Sequence, residues 1–84
     1  MFMVKQKSKT VIVNKVQEWC QGHNMDRQDF IGACLTAKVS ISGKTLVYDT
    51  IQRVWDGDTN INLTTAALIA SSLGVSISDV FDTK

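Results

Sequence analysis

Apolar residues recur with the helical period in four stretches, and each stretch predicts a short helix. Over residues 44–57, Val47, Ile51, Val54 and Trp55 stand at i, i+4, i+7 and i+8, one stripe of a helix. Tyr48, Asp49, Gln52, Arg53 and Asp56 fall on the opposite stripe, and Gly57 is placed to stop the helix in the left-handed conformation. Upstream, Val16, Trp19, Cys20 and His23 form an apolar side that Gly22 ends, with Asn14 and Gln17 spaced as a capping box. Phe30, Ile31, Cys34 and Leu35 form the next; Asp26 is its N-cap, Asp29 stands at N3, and Met25 and Phe30 have the spacing of a hydrophobic staple. Leu63 to Leu73 is the fourth helix, with Asn62 as cap, Ala66, Ile69, Ala70 and Leu73 inward and Gly74 as stop. Leu68 points away from that stripe, which predicts partial exposure. Ser76 and Asp79 cap a last helical turn, closed on the core by Val75, Ile77, Val80 and Phe81.

Two stretches break the period. The β-branched run Thr10-Val-Ile-Val13 predicts an extended strand. In Ala37–Gly43, Val39 and Ile41 alternate with serines, a loop or a short strand with a turn at Gly43, after which Thr45 is a candidate cap for the central helix. The expectation is an all-α domain, a compact bundle of about five short helices over 14–84 behind a basic N-terminal arm, 1–13. Trp19, Phe30, Ile51, Val54, Ile69, Leu73 and Phe81 are its expected core.

Composition narrows the function classes. With 84 residues, 44% of them hydrophobic, the chain makes one small domain, and its lack of proline favours helices over a loop-rich module. The net charge of +1 counts slightly against a nucleic-acid partner, but Lys5, Lys7 and Lys9 are concentrated in an arm without acids. Such an arm can contact phosphates or stay a solvated terminus. Cys20 and Cys34 sit in helical apolar patterns and read as reduced core thiols. With His23 they offer three irregularly spaced ligands and no fourth, short of a metal site, and they give no base–orienter set for a thiol enzyme. Asp56, Asp58, Asn60 and Asn62 imitate the start of a calcium loop, but Ile61 occupies its glycine position and Ala67 its glutamate position. No metal, cofactor or catalysis is expected. No apolar run is long enough for a bilayer, and Met1-Phe-Met-Val is too brief for a secretory signal, so a cytoplasmic protein with no membrane partner is expected.

The stretch Asn62-Leu-Thr-Thr-Ala-Ala-Leu-Ile-Ala-Ser-Ser-Leu-Gly-Val-Ser-Ile-Ser-Asp-Val-Phe81 resembles the end of the Cro/repressor-type (XRE-like) helix-turn-helix family. Asp26-Arg-Gln-Asp-Phe30 is similar to the start of that family's scaffold helix, and Ile51-Gln-Arg-Val-Trp-Asp-Gly57 to the end of its recognition helix. The likeness spans residues 14–82. It departs in a longer path from Phe30 to Gly57, in Trp55 where many members carry glutamate, and in Val47 where a serine cap is common.

The resemblance implies a lambda-repressor-like DNA-binding domain that recognises double-stranded DNA and regulates transcription, with a recognition helix at about 46–56. It places Tyr48, Asp49, Thr50, Gln52 and Arg53 against base edges, where Gln52 suits adenine and Arg53 guanine. It places Arg27, Lys44 and Thr45 against phosphates. Asp49 and Arg53 stand four apart and can instead pair with each other. A weak homodimer formed on DNA is expected, with Leu68 and Thr10–Val13 as contacts. The alternative use of the same fold is a protein–protein interaction module without DNA binding, for which the near-neutral charge and an exposed Leu68 are the motive.

Overall fold

The structure, a computed structural model, describes residues 10–83, and side chains over 13–82. The lysines of the proposed arm, Lys5, Lys7 and Lys9, lie outside the described residues. Among the described residues there are five helices: α1 Val16–Gly22, α2 Arg27–Ala37, α3 Tyr48–Trp55, α4 Leu63–Leu73 and α5 Ile77–Val80. Five strands accompany them: β1 Thr10–Asn14, β2 Ser40–Ile41, β3 Lys44–Thr45, β4 Asn60–Ile61 and β5 Phe81–Thr83. The domain is therefore mixed α/β, and the all-α expectation is overturned.

The β-branched run at 10–13 finds partners from two distant parts of the chain. Thr10 and Val11 pair antiparallel with Ile61 and Asn60, and Ile12, Val13 and Asn14 pair antiparallel with Thr83, Asp82 and Phe81. The sheet order is thus β4-β1-β5. Strands of two or three residues carry no readable period, so the pattern along the sequence predicts neither β4 nor β5.

β2 and β3 form a hairpin between α2 and α3, with Ser40 opposite Thr45 and Ile41 opposite Lys44. Its two turn residues, Ser42 and Gly43, both have positive φ, 54° and 77°. Such a turn matches the twist of the strands it joins, and glycine adopts it without cost. Of the alternating pair, Ile41 lies in β2 and Val39 precedes the strand.

Helix boundaries follow local chemistry. Asp26 accepts from Asp29 N at 2.8 Å while Asp29 accepts from Asp26 N at 3.2 Å, the reciprocal cap expected for α2. Asn62 accepts from Thr65 N at 2.8 Å and caps α4. The cap expected at Asn14 is absent in that form. Asn14 ends β1, Lys15 takes the cap position of α1, and Asn14 Oδ1 accepts instead from Val16 N at 2.9 Å. At the other end of α1 the left-handed residue is Asn24, with φ 59°, and not Gly22.

Val16, Cys20, Phe30, Ile31, Cys34, Ile51, Val54, Ile61, Ala66, Ile69, Ala70, Val80 and Phe81 form one buried cluster, with Trp19, Trp55 and Leu73 half-buried against it. Leu35 and Val47, expected inside, are exposed; Val47 stands before α3 in an extended conformation, off the helical stripe. Leu68 reverses the other way: it is 2% exposed and lies outside the main cluster. β2 packs against α4, so that helix has a second covered side, which an all-helical layout lacks. Among the described residues no helix is long and apolar enough to cross a membrane.

Candidate nucleic-acid interface

α3 is held from behind and at one end. Ile51 and Val54 are buried, and the Trp55 ring lies 5.7 Å from that of Phe30. Its C-terminal end is closed by a nested pair of bonds: Gly57 N donates to Val54 O and Asp58 N to Arg53 O, both at 3.1 Å. That pattern needs a left-handed residue between, and Gly57 supplies it with φ 97°. Asn14 adds an external tie, its Nδ2 donating to Val54 O at 2.8 Å and to Asp58 O at 2.9 Å. Gln17 Nε2 reaches Trp55 O at 3.4 Å. These tethers fix the helix end against β1 and α1.

With Ile51 and Val54 inward, the helical advance of about 100° per residue sorts the remaining side chains. Asp49, Arg53 and Asp56 lie opposite the buried edge and are exposed. Tyr48, exposed, and Gln52, half-buried, occupy one flank; Thr50, half-buried, lies on the other. There Thr50 and Arg53 border a depression of about 150 Å³ with Asp58, Asn60, Asn62 and Thr65. The residues expected to read bases are therefore divided: Asp49 and Arg53 at the centre, Tyr48 and Gln52 to one side, Thr50 turned towards β4 and the start of α4.

Asp49 and Arg53 form an ion pair, Nη2 to Oδ2 at 2.8 Å, with side chains 73% and 66% exposed respectively. Arg53 is held in its charged form chiefly by this hydrogen bond, then by the Asp49 charge, with desolvation opposing and Asp58 adding a smaller contribution. The centre of the face thus carries a paired guanidinium and the carboxylate of Asp56.

The residues expected to contact phosphate bracket α3. Lys44 and Thr45 are exposed on β3, just before its first turn. Arg27 is half-buried at the start of α2 and borders an open groove with Gln21, Asn24, Asp26 and Trp55, which places it by the last turn of α3. Asn14 is a positioning residue whose tie to the end of α3 sequence reasoning missed. Its partners lie 40 and 44 residues away, and no local spacing encodes such a tie.

Cys20 and Cys34 are free and buried, and burial pushes their thiols up to about 11 and about 12. For Cys34 the charge of Cys20 adds to this and a hydrogen bond with Ser72 opposes it. Such thiols stay protonated and unreactive at neutral pH. His23 is exposed, its ring stacked 4.0 Å from Trp19 and its Nδ1 2.8 Å from Trp19 O. Among the described residues no group of His, Cys, Asp and Glu side chains could hold a metal ion. No family model, curated protein or solved structure matches this chain.

Proposed function

We propose that this protein binds duplex DNA and regulates transcription, with α3 lying in the major groove. One observation carries the reading: α3 is anchored by its buried back and its tethered C-terminal end, and its free face presents hydrogen-bonding side chains. An eight-residue helix is about 12 Å long, and B-DNA's major groove is about 12 Å wide. Arg53, Asp49 and Gln52 then meet base edges; Tyr48 borders them at the start of the helix. Lys44 and Thr45 on the hairpin and Arg27 at the start of α2 suit the flanking phosphates. The likeness of residues 62–81 to the Cro/repressor-type family supports the same reading. The hairpin in the enlarged path between α2 and α3 sets this chain apart from that family's layout.

Selection of bound sequences from a random duplex pool tests it. An enriched motif is expected, with affinity falling steeply as salt rises, because each neutralised phosphate contributes about −0.9 to the logarithmic salt slope. No duplex bound at low salt would reject the proposal.

A second reading, docking of another protein, is favoured by Val47, 55% exposed and next to exposed Tyr48 at the start of α3. An apolar contact there would be nearly insensitive to salt.

A further inference from the structure

The most developed feature of the free face is the Asp49–Arg53 pair, and its consequences go beyond placing α3 against DNA. Arginine carries five N–H donors in a planar fork, and a carboxylate has about four acceptor sites. The single bond from Nη2 to Oδ2 therefore leaves both partners with capacity to spare. An unpaired arginine on a groove-facing helix can turn to the nearest phosphate as readily as to a base. Asp49 opposes the phosphate route twice over, by holding the guanidinium over the centre of the helix face and by repelling phosphate itself.

Resting on the DNA-binding reading above, we infer that Asp49 is a specificity-determining positioning residue: with Arg53 it forms one reading unit that takes a guanine and a neighbouring base bearing an exocyclic amine. Arg53 donates through its remaining N–H groups to guanine O6 and N7. Asp49 uses its free acceptor sites for cytosine N4–H or adenine N6–H. A thymine or guanine at the neighbouring position offers the carboxylate an oxygen and is rejected. The pair is electrically neutral, so it contributes selectivity and little salt-dependent affinity. Non-specific attraction then falls to Lys44 and Arg27. Both side chains of the pair are exposed, so they are replaceable without opening the core.

The test uses the full chain on its best duplex from the random pool and on duplexes substituted singly at the guanine and its neighbour, each at two salt concentrations. Asp49→Ala is expected to lose most of its preference at the neighbouring base, a discrimination of roughly 5- to 150-fold in the parent protein. The variant should also bind unrelated duplexes more tightly, with a salt slope steeper by about one unit as Arg53 turns to phosphate. Asp49→Asn, uncharged but still an acceptor, should weaken the preference less. Thermal midpoints close to the parent's show that the folds are intact. If the parent selects a sequence and Asp49→Ala keeps the same preference and salt slope, the reading unit is refuted and DNA binding stands. If the parent binds no duplex at low salt, both fall.

Discussion

α3 and α4 end in the same way and are held in different ways. Each closes on a glycine with positive φ through the same nested bonds, at Gly57 and at Gly74, where Gly74 N donates to Ser71 O and Val75 N to Ala70 O. Their beginnings and their sides differ. α4 starts on a bonded Asn62 cap and buries Ala66, Leu68, Ile69 and Ala70, which together cover more than one stripe. α3 starts at Val47, with no side-chain cap among the described residues, and buries only Ile51 and Val54. One helix is held by the core on several sides. The other is held by one edge and by bonds borrowed from Asn14, and its outer half is exposed.

The contrast can be broken by substitution. Ile69→Ala, in the middle of α4, removes a fully buried side chain, and the expected loss of about 2–5 kcal/mol is readable by denaturant unfolding. A loss below about 1 kcal/mol would show that α4 is not the scaffold. Asn14→Ala removes the donor shared by the Val54 and Asp58 carbonyls, of which Val54 O keeps Gly57 N, together with the acceptor of Val16 N, and about 1–3 kcal/mol is expected. Its sharper readout is hydrogen exchange, which should quicken in the last turn of α3 while α4 keeps its protection. Val47→Asp supplies the missing cap in an extended conformation that suits it, and should stabilise the fold by about 1 kcal/mol. A neutral result would mean that the first turn of α3 is already satisfied. Arg53→Ala closes the series: no resolvable change in thermal midpoint is expected, and a clear drop would make the outer face of α3 structural.

The features legible in the sequence were those encoded within a few residues. Asp26 with Asp29, Asn62 with Thr65, and the stops at Gly57 and Gly74 are local chemistry, and they fall where the spacing puts them. The turn around Gly43 was legible for the same reason. What escaped was non-local. β4 and β5 are too short to show alternation, so the partners of the β-branched run could not be seen and the fold class was misjudged. Leu68 looked exposed because a single-stripe reading of α4 omits the hairpin beside it. At the site, the spacing of Asp49 and Arg53 allowed either a base contact or a mutual pair, and in the free protein they pair. Thr50 drifted to a flank once the buried edge was fixed by Ile51 and Val54.

The central place of β1 also sets an order in time. Its residues 12–14 pair with 81–83, so one edge of the strand finds its partner only when the last described residues are available. The helices form from neighbours in sequence and can condense early; contacts that close nearly the whole chain come late and slow the final step. Asn14 can reach Val54 and Asp58 before β5 exists, so α3 can be secured while that edge of the sheet is still open. The tie that secures the helix proposed to read DNA thus closes a shorter loop than the pairing that locks the domain.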